Sequence, residues 1–133
     1  MRIFLTGVTG FIGSHILNES VKYNHEIIAL KRETHSKTKV KLISNPIWKF
    51  GELSKTTEED LKNIDTVLHL ASHSANVPYD NLTNCLKVNL IDTINFFEMA
   101  YNCGVRKFIT TGSCFEYGKK GEDYEFIPPS APL

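Results

Sequence analysis

Gly7, Gly10 and Gly13 recur at every third position of Thr6-Gly-Val-Thr-Gly-Phe-Ile-Gly13, and their type and spacing point to chemistry more directly than any others. They follow the apolar run Ile3-Phe4-Leu5 and precede a helical pattern in which Ile12, Ile16, Leu17 and Val21 share a face. A glycine directly after a strand permits a sharp turn, because without a Cβ it takes positive φ at little steric cost. The second glycine clears side-chain bulk where a pyrophosphate must approach the backbone, and the third lets the helix pack close to the strand. A helix start adds unpaired N–H groups and the positive end of the helix dipole. An ordinary Gly-rich turn would share the composition, but the strand before and the helix behind favour a seat for the phosphates of a dinucleotide.

The rest of the chain repeats the alternation such a seat needs. Strand-like runs fall at 2–6, 26–30, 47–50, 65–70 and 106–111, with helical patterns at about 11–23, 57–63 and 82–102. Thr56 and Thr57 followed by Glu59 and Asp60 mark a helix start, and Gly104 is a suitable C-cap. The segment at 35–44 stays unassigned. Strands alternating with helices predict an α/β fold, a parallel sheet built from right-handed crossovers. Residues 119–133, with Pro128, Pro129 and Pro132, read as a loop.

Composition narrows the class further. The 133 residues fit one domain, and 41% hydrophobic with 23% charged residues is ordinary for a soluble globular chain. Zero net charge argues against a nucleic-acid partner or an anionic membrane held by bulk electrostatics, although Lys31, Arg32, Lys37, Lys39 and Lys41 form a local basic stretch. No apolar run approaches the ~20 residues that span a bilayer, and no signal-peptide layout precedes the glycine turn. The three cysteines have no tight spacing and fit a reducing compartment, so the expected location is cytoplasmic. No metal-ligand cluster is expected.

Thr6-Gly-x-x-Gly-Phe-Ile-Gly13 closely resembles the glycine turn of the extended short-chain dehydrogenase/reductase family, the NAD-dependent epimerase/dehydratase group, and the resemblance runs on through Gly118. It implies a three-layer Rossmann-like domain over residues 1–118, with about five parallel strands in the order 3-2-1-4-5 and the cofactor above the switch point. Gly7, Thr9, Gly10, Phe11, Ile12 and Gly13 would then line the cofactor's phosphates. Where NAD-using members carry an acid for the adenosine ribose, this chain has Lys31 and Arg32. A cation there pairs with a 2′-phosphate, so NADP is favoured, with NAD possible. The alternative is a solvated loop in which Glu33 takes the ribose.

The resemblance also assigns Glu52 and Leu53 to the segment whose acid bonds the adenine amino group. Leu70, Ala71 and Ser72 fall at the small-residue end of strand four, and Asn89 matches the helix asparagine that holds that strand end. His69 reads as a satisfied core histidine rather than a catalyst. Thr111 joins the cofactor contacts, and Ser113 of Thr111-Gly-Ser-Cys-Phe-Glu-Tyr-Gly118 takes the catalytic serine's place, hydrogen-bonding the substrate oxygen. Cys114 reads as a small buried hydrophobe.

The family's Tyr-x-x-x-Lys pair is missing. Tyr23, Tyr79, Tyr101, Tyr117 and Tyr124 are followed four residues on by Ile27, Thr83, Val105, Gly121 and Pro128. The expectation is therefore a truncated member, a fragment that ends in the Pro-containing segment 119–133, lacks the substrate domain and is inactive alone. The implied activity is hydride transfer at a carbon of a nucleotide sugar, as in epimerisation, dehydration or 4-keto reduction. The alternative is a non-catalytic dinucleotide-binding sensor or partner-binding module. Helix 82–102 carries more apolar residues than one buried stripe needs, Leu82, Leu86, Leu90, Ile91, Ile94, Phe97 and Met99 with Phe96 and Tyr101 elsewhere around it. That excess predicts a homodimer through the helix.

Overall fold

A computed structural model describes residues 1–74 and 77–132, with only the backbone at Cys114. Five parallel strands form one sheet, β1 (Arg2–Thr6), β2 (Glu26–Lys31), β3 (Ile47–Phe50), β4 (Thr66–His69) and β5 (Lys107–Thr110). Their order is β3-β2-β1-β4-β5, as expected. Each strand lies within two residues of its sequence-predicted bounds.

The central strand explains the layering. Alternate side chains of β1 leave on opposite faces. Phe4 packs with Ile28, Val67, Phe96 and Ala100 on one face, while Ile3 and Leu5 pack with Leu17, Ile27 and Ala29 on the other. Helix α1 (Phe11–Ser20) covers the second face, and α3 (Asp92–Asn102) covers the first.

Four predicted elements come out differently. The inward face of α1 is Gly13, Ser14, Leu17 and Ser20, whereas Ile12 and Val21 are exposed. Small residues sit inward because the helix start packs on the glycine turn, where the single Ser14 hydroxyl proton is shared between the carbonyls of Gly10 (2.6 Å) and Val8 (3.0 Å). The helix at 82–102 is α2 (Leu82–Leu86), a π turn (Lys87–Ile91) and α3, ended by Gly104 at φ 98°. Phe96 points into the core, while Leu82, Leu86, Leu90, Ile91, Ile94 and Tyr101 are exposed. The segment read as a loop from residue 119 begins inside short 3₁₀ turns, Cys114–Asp123, kinked at Gly118 (φ 52°).

Between β2 and β3 the chain forms no helix. The expected helix at 57–63 contracts to a 3₁₀ turn, Glu58–Leu61, closed by the Thr57–Asp60 capping box and buried through Leu61.

Candidate dinucleotide site

The carboxyl ends of β1, β2, β3 and β4 open into one cleft of about 460 Å³. It lies where the strand order reverses direction beside β1, the position at which open α/β sheets hold ligands. Gly7 turns the chain off β1 with φ 74°, and a Cβ there would lie 2.6 Å from the Leu70 carbonyl carbon. Only glycine fits. The Gly10 N–H closes the turn on the Gly7 carbonyl at 3.0 Å, and Gly10 then caps α1 with no side-chain bond. The first turn of α1 carries no acid. No side chain of that turn therefore satisfies or neutralises the free N–H groups and positive dipole end that follow Gly10, which itself lines the cleft. A Cβ on Gly13 would strike the Gly7 carbonyl oxygen and come 2.8 Å from Val8 Cα, so this glycine sets the helix-to-strand distance.

His69 forms the floor, buried between two threonines. Ala71 N–H donates to Thr6 Oγ1 at 3.2 Å, and the same hydroxyl lies 2.8 Å from His69 Nδ1; in the tautomer with Nδ1 unprotonated it donates there. Nε2 then carries the ring proton and meets Thr93 Oγ1 at 3.4 Å, whose hydroxyl reaches the Val88 carbonyl at 3.4 Å. Burial pushes the His69 pKa below its ordinary value, which suits this neutral tautomer. The histidine is a satisfied core group.

Asn89 stands in the π turn. Its Oδ1 accepts from His73 N at 2.7 Å and its Nδ2 donates to His73 O at 3.0 Å, clamping the segment after β4. His73 Nε2 lies 2.8 Å from Asp80 Oδ2, and that hydrogen bond, with others from Asn81 and Asn84, holds the Asp80 carboxyl below its ordinary pKa.

At the far end of the cleft, Lys31 and Arg32 diverge. Lys31 Nζ donates to the carbonyls of Thr34 (2.9 Å) and Ser36 (3.3 Å) and sits 4.5 Å from the Trp48 ring centroid. Its charge is absorbed by its own loop. Arg32 lines the cleft, is exposed, and makes no side-chain hydrogen bond or ion pair among the described residues. Glu52 is also exposed at the cleft wall, beside the half-buried Leu53.

The cleft thus gathers Gly7, Thr9 and Gly10, then Lys31 and Arg32, Glu52 and Leu53, Leu70 to Ser72, and Asn89. Five of the expected residues are not among its lining. Gly13 lies behind the turn, while Phe11 and Ile12 project outward, the Phe11 ring lying edge-on to His15. Thr111 and Ser113 stand exposed beyond β5. Ser113 Oγ accepts from Phe115 N at 3.2 Å, and Ser113 N donates to Glu116 Oε1 at 2.6 Å. The serine caps the following turns, and its hydroxyl proton has no acceptor among the described residues.

His73, Lys87, Asp92 and Thr93 line the cleft without having been expected there. All but His73 come from the π turn and the start of α3, whose irregular backbone leaves no sequence signal. His73 could have been found by its position three residues past Leu70.

A glycine turn, an uncapped helix start and a cleft at the strand-order reversal define a dinucleotide-binding α/β domain. The family model for the NAD dependent epimerase/dehydratase family matches residues 3–132, and the chain belongs to that family. UDP-glucuronic acid decarboxylase 1 of Arabidopsis thaliana is 30% identical over 121 residues, 89% of this chain and 27% of the relative. UDP-glucuronic acid decarboxylase 5 of the same plant is 32% identical, over 85% of this chain and 34% of its own length. The chain therefore spans about a third of these relatives. Among solved structures, MoeE5 in complex with UDP-glucose and NAD superimposes with a TM-score of 0.74 at 27% identity, covering 89% of this chain and 38% of that one. A UDP-glucose 4-epimerase of Thermotoga maritima with UDP-glucose gives 0.73 at 26%, covering 89% and 40%.

Proposed function

We propose that residues 1–118 form the cofactor-binding portion of a nucleotide-sugar epimerase, dehydratase or reductase, with residues 119–133 a connecting segment. The observation that carries this reading is the cleft itself, a glycine turn and open helix start facing the ends of β1 to β4 within a family match over nearly the whole chain. The nicotinamide, when bound, supplies hydride acceptance and return at a sugar carbon. This chain's residues seat and orient it. The Gly7–Gly10 turn and α1 hold the pyrophosphate, Leu70 to Ser72 leave room for its ribose, and Asn89 fixes that segment. Ser113 donates its free hydroxyl proton to the substrate oxygen. The tyrosine–lysine pair that would move that proton is not in this sequence.

The reading prefers NADP over NAD. Arg32 is the group that supports this, since its planar fork of donors suits a 2′-phosphate while Lys31 is turned into its own loop. A second copy of the chain is the proposed partner, meeting the apolar face of α3. Titration of NADPH and NADH fluorescence tests the cofactor reading. The expected result is tighter NADPH binding, with the difference lost in Arg32→Ala; equal binding unmoved by the substitution would overturn the preference.

A further inference from the structure

The crossover from β2 to β3 has no helix, yet it is held at four points. Lys31 Nζ gathers the Thr34 and Ser36 carbonyls at its start. Lys39 N–H donates to the Thr9 carbonyl at 3.1 Å, so the crossover lies against the glycine turn itself. The Asn18 side chain, on α1, donates from Nδ2 to the Lys41 carbonyl and accepts at Oδ1 from Ile43 N–H, each at 2.9 Å. Leu42, between those two contacts, packs on the core beside Trp48.

We propose that Asn18 is a positioning residue for the dinucleotide. It fastens residues 32–43 as a strap that sets the glycine turn at Thr9 and the Arg32 guanidinium relative to each other. Asn18 lines no part of the cleft, and acts through the strap alone. An amide suits the task because it offers one donor and one acceptor to two nearby backbone groups, whereas an aliphatic side chain would leave both bonds unmade. Without that clamp the bonds at Lys31 and Thr9 must hold an irregular segment by themselves. Ordering the strap then falls on the cofactor, which weakens binding. This inference rests on the reading of the cleft as a dinucleotide site.

The test compares the full chain with Asn18→Ala, Asn18→Asp and Arg32→Ala. NADPH and NADH are titrated by fluorescence, and trypsin cleavage after Lys37, Lys39 and Lys41 is followed with and without NADPH. Asn18→Ala should weaken both nucleotides, on the order of tenfold for two neutral hydrogen bonds, and NADPH the more because the Arg32 guanidinium loses its setting as well. It should also speed cleavage of the strap, with saturating NADPH slowing it again. Asn18→Asp, which keeps the acceptor for Ile43 and loses the donor to Lys41, should fall between, and it keeps the test decisive if the alanine variant folds poorly. Arg32→Ala should affect NADPH alone. Unchanged affinity and unchanged cleavage in both Asn18 variants would overturn the strap while leaving the cofactor site standing. Failure of the unaltered chain to bind either nucleotide would remove both.

Discussion

His69 pairs with Thr6 Oγ1 through Nδ1 and is buried, so its neutral form is the one the fold favours. Burial lowers its pKa from the ordinary 6.5, so well above that value the ring is uncharged in both folded and unfolded chains and contributes no pH slope. Below that value the unfolded chain takes up a proton that the folded chain refuses, and stability falls until the lower folded pKa is passed. Urea melts between pH 7.5 and 5 should therefore show a loss of stability that is smaller in His69→Gln. Equal slopes for the two proteins would place the sensitivity elsewhere. The residues legible in the sequence were those whose role is fixed by backbone geometry, Gly7 and Gly13 above all. Lys31 was legible as a cation at the end of β2, but not as one already spent on Thr34, Ser36 and the Trp48 ring. Which of two adjacent cations in a cleft is left without a partner depends on strand pleat and on the path of the loop that follows.

The strands were read within two residues because their signal is local, short apolar runs such as Ile3-Phe4-Leu5 bounded by turn residues. The helix of residues 82–102 was legible in extent and not in facing. Its π turn shifts the face by one residue midway, so Phe96, assigned by a regular period to the leftover apolar set, turns into the core instead. Phe96 is 2% exposed, with its ring centroid 5.5 Å from that of Phe4. Phe96→Ala should cost about 3–5 kcal/mol in chemical denaturation, as large-to-small changes in a packed core do. A loss below about 1 kcal/mol would show that the helix does not face the sheet as described. The crossover between β2 and β3 was not legible at all, because what orders it is Asn18 and the Thr9 carbonyl rather than any periodicity of its own.

At the scale of the molecule, one side is left apolar. Ile94 and Tyr101 are exposed along α3 and Leu90 in the π turn before it, and β5 ends the described sheet with Ile109 half exposed. Apolar faces of this kind mark association surfaces. Sedimentation at micromolar concentration should show a species of twice the 15.1 kDa chain, returned to the monomer by Ile94→Glu. A monomer in both would contradict the dimer. The fold class and strand order were legible because alternation and the glycine turn agree, whereas the surface could be judged only once Phe96 and Ile94 were seen to face opposite ways. The central claim, that the cleft seats a dinucleotide on the glycine turn, is tested most directly at Gly10. Its φ of −72° suits any residue, and a Cβ would meet only the Gly7 carbonyl oxygen at 3.2 Å, a tight contact that a shift of a few tenths of an ångström relieves, so a side chain there intrudes on the cleft it lines. NAD(P)H fluorescence titration of Gly10→Val should show binding weakened by at least about tenfold, roughly 1.4 kcal/mol, with the thermal midpoint nearly unchanged; undiminished binding in a folded Gly10→Val chain would contradict it.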